Sequence, residues 1–109
     1  MEPVWAIGFM SGTSMDGVDA ATLHTDGEDV FAFGPTGFAA FENKSVLTQA
    51  LGSWPEARAN WTDVEAQIHD AHLRAAAGLS GALVGFHGQT LAHAPDLQRS
   101  FQAGDGAAL

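Results

Sequence analysis

Apolar residues run from Val4 to Met10 without a polar break. The run stops in a turn of small and hydroxylated residues, Ser11-Gly12-Thr13-Ser14, and a half-apolar run, Val18 to Leu23, follows. An uninterrupted apolar stretch suits a central strand covered above and below. Strand, tight turn and strand together predict a hairpin, because Gly12 and Gly17 can take the positive φ such turns require. Thr25-Asp26-Gly27-Glu28-Asp29 closes the second strand with turn residues. Aromatic residues then flank Gly34-Pro35, so Val30 to Phe33 and Phe38 to Phe41 form a third antiparallel strand, interrupted or bulged at the Gly-Pro. Three antiparallel strands before the first helix do not fit a Rossmann order, in which a helix follows the first strand directly.

Asn43 is placed to cap a short helix over Lys44 to Leu51 that Gly52 stops. Ser53 to Asn60 connects it to a longer helix opened by a capping box, Thr62-Asp63-Val64-Glu65. Trp61, Val64, Ile68, Ala71, Ala75 and Leu79 recur at helical spacing, so that side packs on the sheet, and Gly78 ends the helix. His69 and His72 lie at the margin of this stripe. Two histidines three apart can ligate a metal, but no acidic or Cys partner completes a site, which favours solvated or capping histidines. Ala82 to Phe86 predicts a fully buried parallel strand, and Ser100-Phe101-Gln102 a last short one. Asp105 can cap a helix beginning at Gly106. One turn is too short to nucleate, so the chain reads as the first part of a larger protein, cut in mid-element.

A chain of 109 residues suits one small domain, and its 46% hydrophobic content predicts a packed core. The absence of Cys excludes a disulfide scaffold and thiolate metal sites. A net charge of −9, with Lys44, Arg58, Arg74 and Arg99 as the only Lys and Arg, disfavours a nucleic-acid partner. It leaves room for a nucleotide, which backbone amides hold without basic side chains. Met1-Glu2-Pro3 lacks a basic leader, and the following apolar run is too short for a signal or a membrane span. A cytoplasmic protein with no membrane partner is the expectation.

Candidate chemistry gathers at two places. In the first turn, Gly12 leaves N–H groups uncovered, Thr13 and Ser14 add hydroxyls, and Asp16 and Asp19 supply carboxylates. Amides and hydroxyls suit phosphate oxygens, and a carboxylate suits the Mg²⁺ that accompanies a nucleotide. The same residue types make ordinary hairpin turns, so composition leaves both readings standing. The second place is His87-Gly88-Gln89-Thr90, just beyond the carboxyl end of a strand, where open α/β sheets bind ligands. Imidazole, amide and hydroxyl together suit sugar hydroxyls. A polar strand exit with His87 satisfied by backbone is the alternative, and His93 is a loop histidine.

The run Gly8-Phe9-Met10-Ser11-Gly12-Thr13-Ser14-Met15-Asp16-Gly17-Val18-Asp19 resembles the nucleotide-phosphate hairpin of the anhydro-N-acetylmuramic acid kinases. That family belongs to the actin-like (ribonuclease H-like) group of ATPases and sugar kinases. Gly85-Phe86-His87-Gly88-Gln89-Thr90 with His93 and Pro95, and then Gln102-Ala103-Gly104-Asp105, match in the family's order, so the resemblance spans Ile7 to Asp105. It implies an incomplete α/β actin-like lobe, residues 1–109 being its N-terminal part. It also implies ATP phosphates held at Gly12, Thr13, Ser14, Met15, Asp16, Gly17, Val18 and Asp19, and an anhydro-amino-sugar at His87, Gln89 and Thr90. Mg²⁺ would sit on Asp16 or Asp19, through water. The wider group carries an acid at the end of its first strand, where this chain has Met10; the carboxylate has then moved into the turn.

The implied reaction is a cytoplasmic step of peptidoglycan recycling. Water opens the 1,6-anhydro ring of anhydro-N-acetylmuramic acid while ATP phosphorylates the 6-oxygen. This needs a carboxylate base, which the family carries in a later segment, together with most of the adenine pocket. The 109 residues alone are therefore expected to be inactive, and a full-length member could form a homodimer. Two other classes remain in view. Gly12-Thr13-Ser14-Met15-Asp16 resembles a hydrolase elbow with Ser14 as nucleophile and His87 as base, but Asp16 stands where the elbow needs Gly, and a strand follows in place of a helix. A non-catalytic remnant is the other, tested by whether the reading frame continues past Leu109. Walker and Gly-x-Gly-x-x-Gly patterns are absent.

Overall fold

The computed structural model of the chain describes residues 2–12, 15–58, 60–86 and 88–104, with Pro95 described by its backbone alone. Thr13, Ser14, His87 and Asp105 lie outside the described residues, as does the helix expected after Asp105. Strands β1 (Val4–Met10), β2 (Gly17–Thr25) and β3 (Val30–Ala40) form an antiparallel meander. Helices α1 (Lys44–Ala50) and α2 (Thr62–Ala75) follow, and β4 (Leu83–Gly85) then pairs in parallel with β1, giving the order β3-β2-β1-β4. Strands β5 (Gln89–Ala94) and β6 (Arg99–Ala103) make a separate antiparallel pair.

The third strand bends where the sequence predicts. Ala21 faces Thr36 and Leu23 faces Phe33, so Thr22 alone spans Gly34 and Pro35. Pro35 has no N–H to give the ladder and sits on the outermost strand, where that loss is tolerated. Thr22 Oγ1 donates to Pro35 O at 2.8 Å and ties the bulge down.

Helix α2 lies on one face of the sheet. Val64, Ile68, Ala71 and Ala75 are buried in one core with Val18, Ala20 and Ala39, and Trp61 and Leu79 pack at its margin. The approach is close at Gly37, where a Cβ would stand 2.1 Å from Ala75 O. Two local expectations shift. Trp61 is the N-cap and no capping box forms: Asn60 Oδ1 accepts the Thr62 N–H at 2.8 Å, so the amide just outside the helix occupies the donor first. His72 is a core residue, 1% exposed, because the helix sets it between the rings of Phe9 and Phe86, 4.9 and 4.8 Å away. Its Nδ1 donates to Ile68 O at 2.7 Å, since a carbonyl can only accept. His69 is half-buried, and no three His, Cys or acidic residues gather to hold a metal among the described residues.

The opposite face is uncovered. Cross-strand partners share a face, which places Ala6, Gly8 and Met10 beside Leu23, Ala21 and Asp19, with Phe33 and Phe38 beyond them and Leu83 on β4. Met10, Phe33 and Phe38 are more than half exposed. Leu83 and Val84 are half exposed as well, so β4 is an outer strand and not the fully buried one its apolar run predicts. Likewise β1 is central in the sheet but covered on a single face.

Surface ion pairs hold the connector between the helices. Arg99 donates to Glu56 at 2.6 Å while lying over the Trp54 ring, and Arg58 donates to Asp63 at 2.8 Å. Each guanidinium holds its carboxyl partner below the usual carboxylate range. No helix among the described residues is long and apolar enough to cross a membrane.

Candidate functional site

Because β1 and β4 are parallel neighbours, both release the chain at the same edge of the sheet. The turn after Met10 and the segment after Gly85 therefore meet. Two hydrogen bonds join them across 77 residues of sequence. Ser11 Oγ donates to Gly88 O at 2.9 Å, and Gln89 Nε2 donates to Gly12 O at 3.0 Å. Both side chains are buried. Gln89 Nε2 also lies 3.3 Å from Thr90 O, so two carbonyls fix which end of the amide is nitrogen. Gln89 Oε1 is buried with no partner among the described residues.

The turn itself is built differently from the hairpin that glycine placement predicts. Met15, not Gly17, takes the left-handed conformation, with φ of 57°. Met15 N–H closes the bend on Gly12 O at 3.2 Å, and its side chain is buried in the core. Core contact compensates for the cost of positive φ in a residue with a Cβ. Gly17 is required for a different reason: a Cβ there would stand 2.3 Å from Ala39 O. Val18 is fully buried, so its side chain belongs to the core. Phe41 N–H reaches Asp16 O at 3.4 Å and pins the exit of the turn to the end of β3.

The two carboxylates have different settings. Asp16 is exposed, and Lys44 Nζ stands 3.2 Å from its Oδ1. Asp19 lies opposite Met10 on the uncovered face, at an open hollow of about 410 Å³ whose lining includes Gly8, Met10, Ala21 and Leu23. Of the second cluster, Gln89 and Thr90 lie on β5 and not in a loop. Gly88, at φ 77°, turns the chain into that strand. A Cβ on Gly88 would meet Ala103 O at 2.3 Å, so the junction needs glycine twice over. Successive strand residues point to opposite faces. Gln89 accordingly faces inward, while Thr90, across from Gln102, is half-buried. His93 is on β5 too, facing Ser100. Lys44 joins the site with no mark in the sequence, and Ser11 and Gly88, which lie inside the two candidate stretches, turn out to be what ties them together. A hydroxyl next to a glycine gives no local sign that its acceptor lies 77 residues away.

An antiparallel meander joined by one parallel strand, with a helix on one face and facing turns at the carboxyl edge, is the start of an actin-like sugar kinase lobe. The family model described as anhydro-N-acetylmuramic acid kinase matches residues 4–109. The chain belongs to that family. Over 98% of its length it is 52% identical to anhydro-N-acetylmuramic acid kinase 1 of Jannaschia sp. (strain CCS1). It is 48% identical, again over 98%, to the anhydro-N-acetylmuramic acid kinase of Ruegeria sp. (strain TM1040). Against the Rhodospirillum rubrum protein of the same name the identity is 46% over 97%. The chain spans 29%, 29% and 31% of the length of these three relatives.

Proposed function

We propose that residues 1–109 are the N-terminal part of an ATP-dependent sugar kinase acting on anhydro-N-acetylmuramic acid in cytoplasmic peptidoglycan recycling. The observation that carries this reading is the junction of the first turn with the segment around Gly88, which sets a phosphate-suited turn against a sugar-suited one. Phosphoryl transfer asks a protein mainly for positioning and charge neutralisation. Amides and hydroxyls from Gly12 to Ser14 would receive the phosphates, while His87 and Thr90 would meet sugar hydroxyls. Mg²⁺ takes one or two carboxylates and keeps several waters, so the exposed Asp19 suits it. Asp16 would first have to part from Lys44.

In the reaction, water adds at C1 and gives a proton to the base, the bond from C1 to the bridging oxygen breaks, and that oxygen takes the γ-phosphoryl group as ADP leaves. The base that activates the water, and most of the adenine pocket, belong to a part of the kinase outside these residues, and pairing into a homodimer would belong to the whole enzyme. The test is an NMR titration of the isotope-labelled chain with MgATP at millimolar concentration. Amide shifts concentrated at Gly12 and from Met15 to Asp19 are expected, with no sugar turnover. Shifts scattered elsewhere, or none, would remove the nucleotide reading; turnover by the chain alone would overturn the placement of the base.

A further inference from the structure

Positive charge is scarce in this chain, and most of it is tied down. Arg58 is held by Asp63, Arg99 by Glu56 and the Trp54 ring, and Arg74 by Asp70 and the Ala40 carbonyl. Lys44, the only lysine, stands instead at the first turn, its Nζ 3.2 Å from Asp16 Oδ1. We propose that Lys44 is a phosphate-binding residue: Asp16 keeps its ammonium beside the turn when no nucleotide is bound, and the ammonium passes to a nucleotide phosphate when one arrives. This rests on the nucleotide reading of the turn.

A chain with a net charge of −9 repels an approaching triphosphate overall. Backbone amides answer that with partial charges only, and a bound Mg²⁺ still leaves the nucleotide anionic. A full positive charge at the turn adds what neither supplies. Releasing it costs little. The Lys44 and Asp16 side chains are 49% and 71% exposed and meet in one contact, and an ion pair in water is weakly held. Arg74, by contrast, would give up hydrogen bonds of 2.8 and 2.7 Å. The root of the lysine is fixed while its tip is free. Asn43 N–H donates to Gln67 Oε1 on α2 at 2.9 Å, and Lys44 O accepts from Thr48 Oγ1 at 2.6 Å. Phe41 N–H, three residues before Lys44, reaches Asp16 O at 3.4 Å and keeps this segment beside the turn. A flexible stem with rotatable donors lets an ammonium change acceptors while its helix stays in place. Asp16 then serves the ammonium, and Asp19 is left for Mg²⁺.

Lys44→Met, which keeps the stem and removes the charge, and Asp16→Asn test this in the 109-residue chain. Arg58→Met and Asp63→Asn make the same charge changes on the connector and at the start of α2. The first readout is affinity for inorganic tripolyphosphate without Mg²⁺, followed from the Gly17 to Asp19 amides. Lys44→Met is expected to weaken binding about fivefold and Asp16→Asn to tighten it about threefold, with the other two variants within about twofold of the wild type. The second readout needs no variant. Acetylation of Lys44, measured by mass spectrometry against the N-terminal amine, is expected to slow about threefold or more at saturating ATP. Weaker binding in both Lys44→Met and Asp16→Asn would mean that the pair merely braces the turn. Equal changes in the Arg58 and Asp63 variants would mean that only net charge is felt. Either result overturns the proposal, and so does unchanged affinity in either turn variant, or unprotected Lys44, when the wild type binds. In all these cases the nucleotide reading stands. A wild type that binds neither tripolyphosphate nor ATP marks failure of that reading, and the proposal falls with it. Should a variant not fold, acetylation of the wild type decides.

Discussion

Gly88→Ala is expected to lower the unfolding free energy by about 2–5 kcal/mol, while Gly78→Ala costs about 1–2 kcal/mol. Both glycines have positive φ, 77° and 82°, so both substitutions incur the left-handed penalty. They differ in what surrounds the new methyl group. Nothing lies within 4 Å of a Cβ at Gly78, whereas at Gly88 it would stand 2.3 Å from Ala103 O, a backbone atom of the paired strand. Backbone yields less readily than a flexible side chain, so β5 and β6 must separate or the chain must shift at residue 88. Either movement displaces the carbonyl that Ser11 holds. Urea denaturation of the two variants beside the wild type gives the comparison. Equal costs would mean that the strands yield to the new methyl group at residue 88.

Why that junction escapes a reading of the sequence is a matter of range. The β1–β2 hairpin is legible because its turn residues stand next to the strands they join. The bulge in β3 is legible because Pro35 cannot donate to a ladder wherever it sits. The stripe of α2 follows from spacing alone. In contrast, β5 reads as a loop because Gly88 precedes it and Ala92 and Ala94 within it are poor strand signals, and the strand exists through its pairing with β6. The burial of His72 depends on Phe9 and Phe86, which approach from the first strand and from just beyond the fourth. Covering of the sheet is likewise non-local. The apolar runs of β1 and β4 suit two covered faces, whereas α2 supplies one. At the site, the phosphate-suited turn is legible in outline. The way it is held comes from Met15, Ser11 and Gln89, and each of these acts through a partner distant in sequence.

The sharpest contrast within the first motif is between its two methionines. Met15→Ala is expected to cost about 2–5 kcal/mol, and Met10→Ala to stay within about 0.5 kcal/mol of the wild type. Met10 ends β1 on the uncovered face and is 67% exposed, whereas Met15 is 1% exposed among core residues that include Val18 and Leu47. The resemblance assigns Met15 to the phosphate-binding run, yet its N–H closes the bend on Gly12 O and its side chain packs inward. Its contribution is to hold the turn down from below while Gln89 holds the Gly12 carbonyl from the side. Met15→Leu conserves volume and should therefore cost less than about 1.5 kcal/mol. Denaturant unfolding of the three variants distinguishes a core peg from a ligand-facing residue. If Met15→Ala were as mild as Met10→Ala, no buried side chain would compensate for the positive φ, and the bend would depend on its hydrogen bonds instead.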